Sequence, residues 1–208
     1  MSLPFTTDAF FEVFARYNAA TWPVVVALWV ATARALVAVV RAPGERSSRF
    51  ASAVLAALWL WSGLAYHAMY FTSINPAAWG FAALFVGEAG LLAWYGLIRR
   101  RMAFGTATGY TRGLGIGLAF YALAYPALSV LAGHTYPASP TFGVPCPTGI
   151  FTVGLLLTAA RRPPIPLVVV PVLWALIGGS AALVLGVATD YVLLACSVLL
   201  VVDTVRKA

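Results

Sequence analysis

Charged residues in this chain come in clusters, and the stretches between clusters are long enough to cross a bilayer. A span needs about 20 mostly apolar residues to traverse a hydrocarbon core of about 30 Å. Residues 19–33 carry no charge, and after Arg34 the apolar run resumes to Val40. Residues 50–71 are uncharged except for His67, residues 76–98 hold one acid, Glu88, and residues 113–133 and 141–160 carry no charge. The tail, 163–208, contains only Asp190, Asp203, Arg206 and Lys207 as charged residues. At about 1.5 Å per residue it is too long for one span, so it reads as two helices turning near residues 186–190. Soluble domains keep about 25% charged residues; here the share is 9%, so the bilayer is the natural solvent. The expected fold is all-α: a single transmembrane domain over 1–208, a helix bundle of about seven spans near 19–40, 50–71, 76–98, 113–133, 145–160, 165–185 and 190–205, the seventh being short.

The basic residues give the expected orientation. Arg34, Arg41, Arg46 and Arg49 surround the loop after the first span, and Arg99, Arg100, Arg101 and Arg112 the loop after the third. Arg161 and Arg162 follow the fifth, Arg206 and Lys207 the seventh, and the other connections hold no Lys or Arg. Basic short loops mark the cytoplasmic side, so the N-terminus is expected outside and the C-terminus inside, in a prokaryotic cytoplasmic membrane. The net charge of +7 then serves topology and anionic lipid rather than nucleic acid, for which no motif is present. The expected partners are the lipid bilayer and a small solute or ion, with a homo-oligomer open. The opening MSLPFTTDAFFEVFARYN carries acids before its apolar run and lacks a basic start, so the first span itself is expected to direct insertion.

Phe10, Phe11, Phe14 and Tyr17 fall at helical spacing beside Asp8, Glu12 and Arg16, with Thr6 or Thr7 able to cap. Residues 1–18 therefore read as an interfacial amphipathic helix, with a lid over an outer cavity as the sharper alternative. In the loop after the fourth span, Pro137, Pro140, Pro145 and Pro147 forbid regular helix, so residues 134–148 either sit above the bilayer or fold back into a cavity. Leu58-Trp59 with Gly63 resembles Leu173-Trp174 with Gly178, and the first span resembles the fifth around Thr32 and Thr158, which suggests a parallel 3+1+3 repeat. The small residues Gly113, Gly115 and Gly117, and Gly178, Gly179 and Ser180, read as close helix contacts.

Polar residues inside spans are costly and therefore informative. Glu88 falls near the midplane, where a carboxylate needs a partner or water; it is a candidate proton or cation site, or a protonated acid bonded to a neighbouring helix. His67, Asn75, His134, Cys146 and Asp190 all belong to the outer half. Cys146 precedes Pro147 at a helix start, where the positive end of the dipole favours thiolate. Cys146, His134 and His67 form a conceivable soft-metal set, although their spacing matches no ligand motif, and interfacial histidines with an inert cysteine explain them as well. The two histidines could also ligate a haem, with nothing else pointing to one. Cys196 reads as packing, at a depth unlike that of Cys146. Lys207 is the only lysine, which excludes a retinal Schiff base in the bundle, and no hydrolase, zincin or Walker sequence occurs.

Three stretches, YNAATWP from Tyr17, INPAAW from Ile74 and PTFGVPCPTGIFT from Pro140, resemble a family of prokaryotic integral membrane proteins that carries only an unknown-function label. The resemblance implies a multi-span membrane protein and transfers no catalytic residue. The expected function is transport or conduction of a small solute or ion. An outward cavity between spans two, three, four and five would use His67, Asn75, Glu88, His134 and Cys146. The alternatives are a metal- or haem-binding redox protein using Cys146 with His67 and His134, a membrane enzyme with Cys146 as nucleophile and His134 as base, and a structural subunit without a solute pathway. No cofactor is specified.

Overall fold

The computed structural model describes residues 4–207, and among these every regular element is helical. The helices are α1 (Thr7–Arg41), α2 (Glu45–Trp61), α3 (Ala78–Leu92), α4 (Gly109–Leu131), α5 (Pro145–Leu157), α6 (Pro166–Leu185) and α7 (Val192–Arg206). A π-helical stretch, Ser62–Tyr70, and a 3-10 turn, Phe71–Ser73, extend α2; a second π-helical stretch, Ala93–Ile98, extends α3; a 3-10 turn, Ala188–Asp190, leads into α7. With these extensions six of the helices are long and apolar enough to cross a membrane.

The exception is the fifth: of the seven helices that match the expected seven segments, six reach spanning length. α5 has 13 residues, about 20 Å of helix, against a core of about 30 Å. It is enclosed by the other helices: Pro145 and every residue from Pro147 to Leu157 are buried. Hydropathy does not separate a helix buried in protein from one buried in lipid, because both are apolar on all sides. The short last helix does qualify, since the turn before it extends it to Ala188–Arg206, 19 residues.

α1 corrects a second expectation. No separate interfacial helix precedes the first span; Thr7–Arg41 is one helix of 35 residues, capped by the Thr6 side chain accepting from the Ala9 amide, and residues 1–3 of that expected element lie outside the described residues. Such a helix is about 52 Å long, so about two-fifths of it exceeds the hydrocarbon core. Its amphipathic start packs against protein: Val13, Phe14, Tyr17 and Asn18 are buried while Asp8, Glu12 and Arg16 face outward or sit at the edge. The helices paired by the suggested repeat, α1 and α5, have 35 and 13 residues, so the repeat is not reproduced in helix length.

Small residues set the closest helix crossings. A Cβ on Gly154 would sit 2.7 Å from the Ala119 amide nitrogen and 2.8 Å from the Gly115 carbonyl oxygen, and one on Gly115 would sit 2.6 Å from the Gly154 carbonyl. The backbones of α4 and α5 therefore touch. Gly179 plays the same part against Leu194 of α7, whereas Gly113 and Gly117 face open space.

The basic connections gather at one end of the bundle. Arg100 pairs with Glu45 at 3.2 Å, Arg112 donates to the Val40 carbonyl, and Lys207 donates to Asp203 and to the Ala159 carbonyl. Ser48 and Thr158 accept from the amides of Phe104 and Gly105, which ties the α3–α4 connection to α2 and to the end of α5.

Candidate functional site

At the opposite end, the chain between α4 and α5 turns back into the protein. Residues 139–144 are buried yet irregular, which is tolerated at depth only where protein supplies the hydrogen bonds. Asn18 of α1 supplies several: its amide nitrogen donates to the carbonyls of Pro137 (2.6 Å) and Ser139 (2.8 Å), and its oxygen accepts from Thr141 (2.6 Å). Ser62 donates to the Gly143 carbonyl at 2.8 Å. Gly143 has φ +83°, and a Cβ there would come within 3.2 Å of the Tyr17 hydroxyl, which accepts from Trp61. Both the left-handed backbone and the close approach call for glycine.

The folded-back segment delivers the N-terminus of α5 to the bundle interior. Pro145 and Pro147 have no N–H, so two of the orphan donors of a helix start are absent where no water could satisfy them. α5 is then held by Trp59 donating to Thr152 at 2.8 Å and Thr152 donating to the Thr148 carbonyl.

Beside this start lies a cavity of about 130 Å³. Its walls are Phe5 with Phe10 and Phe14 of α1; Tyr66 and Phe71 beyond α2; Asn75 and Phe81 at the start of α3; the segment around Pro140, Val144 and Cys146; and Trp174 to Leu185 of α6, with Val187 and Asp190. The amphipathic start of α1 thus forms a wall of the cavity. Phe5 stacks on Phe10 and meets Phe71 edge-on, with centroids 6.0 and 5.5 Å apart.

Among the described residues Asp190 is the one acidic or basic side chain on the cavity wall, and it is 4% exposed. The Tyr125 hydroxyl donates to its Oδ1, the Thr189 hydroxyl donates to Tyr125 at 3.1 Å, and Cys146 lines the same cavity. Gly186, left-handed at φ +72°, ends α6 and permits the turn that places Asp190 there. Sequence reading placed Asp190 in this half but did not choose it, and it passed over Tyr125 and Tyr66. The available signal was an acid directly after a glycine turn between two apolar helices.

Of the five residues expected to share a site, Asn75 and Cys146 line the cavity, while His67, Glu88 and His134 do not. The chamber lies among α1, the extension of α2, the start of α3, α6 and the start of α5. His134 stacks on Phe11, centroids 4.5 Å apart. His67 is fully buried in an aromatic box, 4.7 Å from Phe85 and 5.2 Å from Trp174, and neither ring nitrogen has a partner. Glu88 is also fully buried, one turn beyond Phe85, and both of its carboxyl oxygens lack a partner.

The metal expectation does not hold as a convergent set. Among the described residues no three His, Cys, Asp or Glu side chains are placed to hold an ion. The rings of His67 and His134 engage different aromatic partners, and Cys146 lines the cavity that neither histidine reaches. Both cysteines are free thiols.

Comparison with curated proteins finds no match, and comparison with solved structures finds none either. A family model does match, over residues 7–208, nearly the whole chain and all the helices just described. The chain belongs to that family, described as a family of unknown function, DUF6064.

Proposed function

We propose that this protein is a transporter or channel for a small solute or ion, entered through the cavity beside Asp190, in a prokaryotic cytoplasmic membrane with the cavity end outward. The observation that carries the reading is the aromatic-lined cavity at the start of a short buried helix, beside irregular backbone that protein covers. Transporters build substrate sites from broken helices and covered irregular segments of this kind. The orientation rests on the basic connections gathered at the far end. Glu88 supplies the coupling site: a buried carboxyl without a partner is where a proton or cation is taken up and released.

The test uses proteoliposomes loaded with a pH-sensitive dye and exposed in turn to tetramethylammonium, methanesulfonate and tert-butanol, small probes of positive, negative and zero charge. The expected result is a dye response to one of them, above that of empty vesicles, and lost in Glu88→Gln. No response to any of the three in the wild-type protein overturns solute-coupled transport.

A further inference from the structure

The walls of the cavity narrow the chemistry of what it holds. Among the described residues seven aromatic side chains line it, Asp190 is its one acid, and no Lys, Arg or His reaches it. We infer that the cavity is a binding site for a small organic cation of the alkylammonium class, held by the aromatic walls and by the Asp190 carboxylate. The inference rests on the proposed role of this chamber as the solute site and names the class of solute.

Three considerations select a cation over an anion or a neutral molecule. Aromatic faces carry negative potential and attract alkylammonium groups, which lose little hydration when they leave water. A carboxylate offers about four lone-pair positions; the Tyr125 hydroxyl occupies one on Oδ1, and Asp190 is on the cavity wall. The positive end of α5 amounts to about half a charge, which offsets Asp190 only in part, so the chamber keeps a net negative character that repels anions. Size sets the other limit. A dry apolar cavity of about 150 Å³ accommodates benzene, so about 130 Å³ admits one molecule of similar size. Tetramethylammonium fits this limit, and a polyamine or a large aromatic drug does not.

Trp174 lines the chamber and reports on its contents by fluorescence. Purified protein in detergent is titrated with tetramethylammonium chloride against sodium chloride of equal ionic strength, and separately with tert-butanol, a neutral molecule of nearly the same shape. The expected result is a saturable fluorescence change with tetramethylammonium, at least tenfold weaker with tert-butanol, and abolished in Asp190→Asn. Equal binding of the two probes by the wild-type protein overturns the cation assignment, and so does binding of neither; both comparisons stand even if Asp190→Asn fails to fold. Saturable tetramethylammonium binding without a vesicle response would instead overturn transport and leave the cation site in place.

Discussion

Replacing Gly154 by alanine should push α5 away from α4 and loosen the element that carries Cys146 to the cavity. The added Cβ would lie 2.7 Å from the Ala119 amide nitrogen and 2.8 Å from the Gly115 carbonyl, where ordinary contact begins at 3.4 Å. Both obstacles are backbone, so no side chain can swing aside and the helices must separate by about 0.7 Å. A gap of that size forfeits a quarter to a half of each dispersion contact, each about 0.1–0.2 kcal/mol. Over a few tens of atom pairs along the crossing the loss is about 1–3 kcal/mol, the usual cost of overpacking. Gly117→Ala is the control, because a Cβ there meets nothing within 4 Å. Thermal unfolding in detergent, followed by loss of the monodisperse peak in size-exclusion chromatography, should show Gly154→Ala several degrees below the wild type and Gly117→Ala unchanged or higher. If the two variants melt together, α4 and α5 do not touch at Gly154 and the reasoning fails.

Two further outcomes follow from hydrogen bonds made and missing. Asn18→Leu deserts the buried Ser139 carbonyl and Thr141 hydroxyl, at about 1–3 kcal/mol for each group. Opening of the folded-back segment should then be about 30-fold more frequent for a loss of about 2 kcal/mol; maleimide labelling of Cys146 in a Cys196→Ala background measures it, and an unchanged rate contradicts the tether. Glu88→Leu removes a buried carboxyl whose oxygens have no partner, so its melting temperature should rise rather than fall, by the equivalent of about 1–3 kcal/mol. A marked fall would reveal a hydrogen-bonded partner for Glu88 that the reasoning omits.

The helices were legible in the sequence because charge spacing and hydropathy are properties of contiguous residues. The break after Leu131, the turn near Gly186 and the grouping of basic residues at alternate connections all came from local pattern. The site was much less legible. Asn75 and Cys146 were chosen for their chemistry and do line the cavity, yet Glu88, His67 and His134 were chosen for the same reason and do not. Polarity in an apolar span shows that a residue needs an environment, and neighbouring helices decide which one. For His67 that environment is a ring of aromatic groups contributed by α3 and α6.

By itself, then, the sequence determined an apolar helical chain with its basic residues at alternate connections, since these follow from the cost of placing charge and unsatisfied backbone in hydrocarbon. Tertiary structure alone decided that α5 is short and enclosed by the other helices, that the start of α1 walls a cavity, and that Tyr125 reaches Asp190 beside it. Those outcomes depend on contacts between residues far apart in the chain, 65 positions for Tyr125 and Asp190 and 93 for Trp59 and Thr152, and on the close packing of Gly115 and Gly154.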